Sequence, residues 1–92
     1  MSTVEREVTI ASRVGLHARP AATVAKAAAD LPVVVYIAKD GTPPVDTRSI
    51  LSLISLGAEQ GDSVRLTAEG DGAEAAVDAI AHLLETDHNG GA

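Results

Sequence analysis

Two hydrophobic periods alternate along the chain, and this alternation restricts its fold more than any other feature. Apolar residues recur at every second position in Val4–Ile10 and Ser63–Glu69, which predicts strands, and at helical spacing in Ala18–Ala29. A β-branched run over Val33–Lys39 predicts a buried strand, and Asp40-Gly41 predicts the hairpin turn that follows it. Such a chain has to bury its helices against one face of a sheet.

The segments after the hairpin turn complete the predicted order. Pro43-Pro44 cannot donate ladder hydrogen bonds, so Thr42–Asp46 is predicted as an edge strand or a loose one. Ser49–Leu56 is predicted as a short helix whose apolar residues lie nearly all round it. A capping box in which Asp71 is the N-cap and Glu74 reaches back predicts the start of the last helix.

The predicted order is therefore strand, helix, strand, strand, helix, strand, helix. An α+β open-faced sandwich satisfies it, with three helices packed on one face of a four-stranded, mainly antiparallel sheet. The 92 residues suit one domain, which we place at 1–86. Residues 87–92 offer nothing to pack and are predicted to form a disordered tail.

Composition excludes several classes of function. The absence of Cys rules out disulfides, thiolate metal sites and a cysteine nucleophile. A net charge of −6 and a single aromatic residue, Tyr36, disfavour nucleic-acid binding. The longest apolar run, Val33–Ala38, is far too short to cross a bilayer, and the N-terminus does not resemble a signal peptide. We therefore expect a cytoplasmic protein without membrane insertion.

The segment Gly15-Leu16-His17-Ala18-Arg19-Pro20 is where chemistry is expected. His17 stands just before a predicted helix, whose first N–H groups have no helical acceptor and attract anions. Arg19 opposes the helix dipole at a cost of about 0.3–1 kcal/mol, which suggests an anionic partner. From the residues alone, a plain turn histidine and a solvated arginine remain the alternative.

A neutral imidazole at this position is a competent nucleophile toward phosphorus. The positive helix end and Arg19 disfavour the imidazolium form, so we expect the ring of His17 to be neutral near pH 7. After phosphoryl transfer the same groups would face two negative charges, through charge-assisted hydrogen bonds of about 1.5–3 kcal/mol each. The segment could thus hold a phosphohistidine for a short time.

Two motifs resemble those of a known family. Gly15-Leu16-His17-Ala18-Arg19-Pro20-Ala21 resembles the active-site signature of HPr, the histidine-containing phosphocarrier of the bacterial phosphoenolpyruvate-dependent sugar phosphotransferase system. Arg48–Gly57 resembles that family's regulatory serine and the short helix after it. The similarity extends from about Val4 to Leu84, in the element order of the family.

The resemblance implies a carrier of phosphoryl groups and not a free-standing enzyme. His17 would accept the group on Nδ1 from phosphorylated enzyme I, as a pros-phosphohistidine, and pass it to the IIA domains of sugar-specific enzymes II. Arg19 would be its electrostatic partner, and Ala18 and Arg19 would bind the phosphate. The resemblance implies no cofactor and no metal.

The resemblance also implies a regulatory site and a docking surface. Ser49 matches the serine that HPr kinase/phosphorylase modifies in many Gram-positive relatives, and it is equally a preferred N-cap residue. We expect an exposed patch beside His17 that contacts partners, with core packing of one or two of its apolar members as the competing account. Its apolar members are Ile50, Leu51 and Ile54, and its basic members are Arg19, Lys26 and Arg48.

The charge distribution predicts a neutral-to-basic docking face. Met1–Leu56 contains six basic and five acidic residues, for a net charge of +1, whereas Gly57–Ala92 contains one and eight, for −7. All the net negative charge thus follows Leu56 in the sequence, away from the segments that carry His17 and Ser49.

Other interpretations differ in partners or in class. The chain could be a carrier of a nitrogen-regulatory branch or a mainly regulatory paralogue, or it could be a non-catalytic interaction module that binds through the apolar patch. Transcriptional regulators are further possible partners. We expect a monomer. His82 and His88 lack the spacing of a helical metal site and are predicted to be surface residues.

Overall fold

A computed structural model describes residues 3–11 and 15–86, and the predicted disordered tail and His88 lie outside these residues. The described part contains seven elements in the predicted order. They are β1 (Thr3–Thr9), α1 (Ala18–Ala29), β2 (Tyr36–Lys39), β3 (Val45–Asp46), α2 (Ile50–Ser55), β4 (Ser63–Glu69) and α3 (Ala73–Glu85).

The four strands form one antiparallel sheet in the order β1-β4-β2-β3. β4 pairs with β1 along its whole length, from Thr3 opposite Glu69 to Thr9 opposite Ser63, and with β2 on its other side. α3 packs on β1 and β4, while α1 packs on α2 and α3. This arrangement confirms the predicted open-faced sandwich.

The core between the sheet and the helices is built from small aliphatic side chains. The stripe that faces it from α1 is the one that the helical spacing predicts, and β4 contributes every second residue. Its members from these two elements are Ala21, Val24, Ala25, Ala28, Val64, Leu66 and Ala68. Ile37 of β2 and Ile80 of α3 are fully buried among them. Burial of this apolar surface is the main driving force for the fold.

The strand predicted over Val33–Lys39 is shorter than expected, because β2 begins only at Tyr36. The carbonyl of Val35, just before β2, accepts the Thr47 N–H at 3.0 Å and the buried Thr47 hydroxyl at 2.7 Å, which continues the β2–β3 register by one residue. Its partner β3 is limited to Val45–Asp46, as the preceding prolines predict. The prediction of a loose edge strand is therefore correct.

The predicted capping box is wrong. The N-cap of α3 is Gly72, whose φ of 84° is left-handed, and Asp71 lies one residue too early in the exposed turn. A residue with a side chain is strained at this φ, so the turn out of β4 depends on glycine at this position. The backbone conformation of the turn, and not a side-chain cap, sets the start of α3.

Arg6 is the one charged residue in the apolar alternation of β1. Because β1 is an edge strand, the guanidinium of Arg6 extends past the sheet to α3. It donates to Asp78 at 2.6 Å and lies 3.8 Å from Glu85. Both pairs are solvent-exposed, so they contribute orientation between strand and helix more than stability.

A helix that spans a bilayer needs about 20 consecutive, mostly apolar residues. This requirement can be checked for the helices within residues 3–11 and 15–86. None of them combines the length and the apolar character needed to span it.

Two leucines provide a matched test of where the core lies. Leu66 is fully buried in β4, whereas Leu51 on α2 is 78% exposed. We expect Leu66→Ala to lower the free energy of unfolding by about 2–5 kcal/mol, because it leaves a cavity. The same truncation at Leu51 should change it by no more than about 0.5 kcal/mol. Chemical denaturation of both variants measures the difference, and equal losses would contradict this assignment of the core.

Candidate functional site

His17 is the N-cap residue of α1, in an extended conformation with φ −91° and ψ −166°. Its carbonyl accepts the first helical hydrogen bond, from the N–H of Ala21 at 2.9 Å. Its imidazole does not cap the N–H groups of this helix, and the side chain is 59% exposed. The ring is therefore accessible next to the positive end of a 12-residue helix.

Gly15 and Leu16 attach this turn to the loop that follows α2. Gly15 has a φ of 67°, and a Cβ on it would lie only 2.6 Å from the carbonyl oxygen of Ala58. Leu16 is buried, and its N–H donates to that same oxygen at 2.9 Å. Only glycine allows the two backbones to approach this closely, which explains the residue type two positions before His17.

The attached loop, residues 57–62, is itself held by an ion pair. The ammonium of Lys39 lies 3.0 Å from the carbonyl oxygen of Gly57 and 3.1 Å from the carboxylate of Asp62. That carboxylate also accepts the N–H of Glu59 at 2.9 Å. The Glu59 N–H and then Lys39 hold the pKa of Asp62 below its usual range. We call this arrangement the Lys39–Asp62 clasp.

The clasp orients an acidic residue that the sequence did not single out. The Oε1 atom of Glu59 lies 3.5 Å from Nε2 of His17. This contact puts a negative charge beside the Nε2 edge of the ring. The acidic second half of the chain therefore contributes a carboxylate to the surroundings of His17, which the charge count along the sequence does not show, and the neutral-to-basic docking face stays a prediction.

The first turn of α1 contributes the other polar groups at this position. The N–H groups of Ala18 and Arg19 have no acceptor within the helix, and Pro20 has no N–H. Arg19 is exposed and next to His17 in the turn. Lys26 lies in the last turn of α1, nine residues after His17, which corresponds to roughly 13 Å along the helix axis. Arg19 therefore lies in the same helical turn as His17, whereas Lys26 lies at the opposite end of α1.

Ser49 and Arg48 precede α2. Ser49 is the N-cap, and its hydroxyl accepts the N–H of Ser52 at 3.2 Å, so its structural role is the predicted one. Arg48 forms a forked pair with Asp46, with nitrogen–oxygen distances of 2.7–3.1 Å. The hydrogen bond from Arg48 lowers the pKa of Asp46, and the pair raises the pKa of Arg48. The charge of Arg48 is thus partly neutralised by its neighbour.

α2 presents an apolar surface to solvent. Leu53 is fully buried and packs the helix onto the core, while the exposed fractions of Ile50, Leu51 and Ile54 are 43%, 78% and 37%. The helix is therefore more apolar than packing alone requires, because one face is buried and another is exposed. Exposed apolar groups of this kind often mark contact surfaces.

A metal site needs several His, Asp or Glu side chains close together. Within residues 3–11 and 15–86, no three His, Asp or Glu side chains gather in the way that a metal ion needs. His82 lies on the exposed side of α3.

The accessible imidazole of His17 thus lies at the start of a helix, where backbone N–H groups can bind an anion such as a phosphate. Residues 4–86 match the family described as "PTS HPr component phosphorylation site". The chain therefore belongs to the HPr family.

The named relatives include proteins called HPr and a protein called NPr. The chain is 41% identical over 80 residues to a phosphocarrier protein HPr of Streptomyces coelicolor, covering 87% of this chain and 86% of that one. It is 42% identical over 84 residues to an HPr of Haloferax volcanii, covering 90% and 94%. It is also 35% identical over 85 residues to a phosphocarrier protein NPr of Shewanella violacea, covering 92% of each.

Solved structures agree with the fold. An HPr from Bacillus anthracis superposes with a TM-score of 0.85 at 33% identity, covering 91% of this chain and 99% of that one. An HPr dimer from Thermoanaerobacter tengcongensis gives 0.67 at 40% identity, covering 85% and 88%. Because this second relative is a dimer, the expectation of a monomer stays a prediction.

The close approach at Gly15 can be tested against Gly57, which has nearly the same backbone conformation. Their φ values are 67° and 70°, but a Cβ on Gly57 would meet nothing within 4 Å. Gly57→Ala should lower the free energy of unfolding by about 1–2 kcal/mol, from the left-handed backbone alone. Gly15→Ala should lower it by a further 1–3 kcal/mol or so, because Ala58 has to move. Equal losses in denaturant unfolding would show that the two backbones are not in close contact.

The clasp makes stability depend on pH in a defined direction. Since folding lowers the pKa of Asp62, its charge stabilises the folded state above the usual Asp pKa of about 3.9, and this stabilisation disappears as the pH falls through the folded value. Asp62→Asn keeps an acceptor for the Glu59 N–H but removes the charge. We expect it to be less stable than the wild type at pH 7, with the gap closing below about pH 4. Denaturant unfolding across this range measures the gap, and a gap that stays constant contradicts the assignment.

Proposed function

We propose that this protein is a cytoplasmic phosphocarrier of the phosphoenolpyruvate-dependent sugar phosphotransferase system. In this proposal His17 accepts a phosphoryl group from phosphorylated enzyme I and passes it to IIA domains during sugar uptake. The observation that carries the proposal is the accessible imidazole of His17. His17 is the N-cap residue of α1 by position, but its side chain makes no hydrogen bond to the N–H groups of the helix. Membership of the HPr family supports the phosphocarrier role.

The first turn of α1 suits the phosphorylated state. A phosphoryl group on His17 could accept hydrogen bonds from the N–H groups of Ala18 and Arg19, because neither has a helical acceptor. The exposed guanidinium of Arg19 adds a mobile positive charge. Each charge-assisted hydrogen bond of this kind is worth about 1.5–3 kcal/mol, enough to orient the group without making it a permanent product.

The exposed face of α2 supports the proposed docking surface. Ile50, Leu51 and Ile54 would bury their exposed apolar area against enzyme I and the IIA domains. Arg19, Lys26 and Arg48 would add positive charge around it, with Arg48 already sharing its charge with Asp46. An acidic partner surface would complement this arrangement.

Ser49 would connect this surface to regulation by an HPr kinase/phosphorylase. A phosphate on Ser49 would replace the hydroxyl that accepts the Ser52 N–H and add about −2 charge next to Ile50. The phosphate oxygens could still accept that N–H, so the helix would remain folded. The added charge would repel an acidic partner and reduce docking.

The second candidate is a carrier of the nitrogen-regulatory branch. The 35% identity to the NPr of Shewanella violacea favours it as an alternative. Both branches would use the same histidine, and they differ in the enzyme I that charges it. Phosphorylation rates with the two enzyme I proteins of a host that contains both would therefore distinguish them.

The central test is phosphorylation of the protein by phosphoenolpyruvate and enzyme I. We expect intact-mass spectrometry to detect one acid-labile phosphoryl group on the wild type and none on His17→Ala. His82→Ala is the matched control, because His82 is an exposed histidine on α3, and it should be phosphorylated like the wild type.

Two results would contradict the proposal. The wild type could remain unmodified, or the acid-labile group could persist in His17→Ala. If His17→Ala kept every partner interaction and the cellular phenotype, an interaction module acting through the α2 patch would be the correct class instead.

A further inference from the structure

We infer that Glu59 keeps a proton on Nε2 of His17 and thereby directs the phosphoryl group to Nδ1 and stabilises it there. The inference rests on the proposed function, since it concerns how the same histidine is used. It starts from the contact between Oε1 of Glu59 and Nε2 of His17, at 3.5 Å. Among the residues that the structure describes, a carboxylate lies within 4 Å of Nε2 and of no other atom of the ring that could bind the phosphoryl group.

The contact follows from a series of backbone interactions. The N–H of Glu59 donates to the Asp62 carboxylate at 2.9 Å, and the Asp62 N–H donates to the Glu59 carbonyl at 3.0 Å. Lys39 holds Asp62, and the adjacent carbonyl of Ala58 accepts the Leu16 N–H. The main chain of Glu59 is thus anchored on both sides, while its side chain is 60% exposed and directed to the imidazole.

The carboxylate determines which ring nitrogen reacts. In a neutral imidazole one nitrogen carries the proton and the other a lone pair, and the partner of the first sets the tautomer. Glu59 is an acceptor, so it favours the proton on Nε2 and leaves the lone pair on Nδ1. Because two nearby anions repel, it also disfavours a phosphoryl group on Nε2.

With this tautomer no proton has to leave the ring when the phosphoryl group arrives. The lone pair of Nδ1 forms the N–P bond, and the electron pair of the broken bond stays with the donor. The ring then carries one positive charge and keeps its Nε2–H. On release the N–P bond breaks, its electron pair returns to Nδ1, and the ring is neutral again.

Glu59 and Arg19 therefore act on different parts of the phosphorylated residue. Arg19 attracts the phosphoryl group, whereas Glu59 attracts the positive charge that the ring carries while the N–P bond exists. An ion pair as exposed as this one has a modest effect, about two- to five-fold in a rate. Glu59 is thus a positioning residue that lengthens the lifetime of the phosphohistidine.

Glu59→Gln is the decisive variant, because it keeps the shape of the side chain and removes only the charge. Glu5→Gln is its matched control: Glu5 is similarly exposed, at 64%, and lies 3.7 Å from Arg65 on the sheet. Each protein is phosphorylated with phosphoramidate, a small chemical donor that needs no partner protein. The half-life of the phosphohistidine is then followed by intact mass at about pH 8.

We expect the phosphohistidine to last about two to five times longer in the wild type than in Glu59→Gln, and as long in Glu5→Gln as in the wild type. Nitrogen-15 NMR of the unphosphorylated proteins should show the Nε2–H tautomer in the wild type and a larger Nδ1–H fraction in Glu59→Ala. A merely structural role for Glu59 would not change the tautomer.

Either of two results overturns the inference: a half-life in Glu59→Gln that equals or exceeds that of the wild type, or a phosphoryl group on Nε2 of the wild type. If enzyme I fails to phosphorylate the wild type, the proposed function is wrong. The comparison with phosphoramidate still decides the role of Glu59, so the two failures are distinguishable.

Discussion

The hydrogen bond from the Leu16 N–H to the Ala58 carbonyl is the interaction on which the rest of the site depends. It joins the turn that starts α1 to the loop that ends α2, segments more than 40 residues apart in sequence. The absence of a side chain at Gly15 makes this approach possible. Leu16 is buried at the same point, so the packing of the core and the placement of His17 depend on the same contact.

Features with a local cause could be predicted from the sequence, and those with a tertiary cause could not. Ala18–Ala29 and Ser63–Glu69 occupy their predicted bounds because each carries a regular apolar period, and Ser63–Glu69 also pairs with β1 along its whole length. The strand predicted from Val33 begins only at Tyr36, where its pairing with β3 and β4 starts. The N-cap of α3 is Gly72 and not the predicted Asp71, because the left-handed backbone at Gly72 sets the start of the helix without a side-chain cap.

The same distinction between local and tertiary causes applies to the residues of the candidate site. His17 and Arg19 form a local motif at the start of a helix, and their positions follow from the sequence. Glu59 reaches the imidazole only through the clasp, a long-range arrangement that no spacing along the chain reveals. Summing charges over each half of the chain therefore does not show the surroundings of His17, since folding brings a carboxylate from the acidic half beside it.

The short, proline-preceded strand β3 has a consequence for behaviour at high concentration. β3 forms one edge of the sheet and is only two residues long. The preceding Pro43-Pro44 has no N–H groups to donate to an incoming strand. At the other edge, β1 presents Glu5 and Glu7. Both margins resist templated strand addition, which is the first step of cross-β aggregation. The sheet edges and the exposed apolar helix α2 thus differ in kind: the edges discourage strand addition, whereas the helix offers a surface for side-chain contacts.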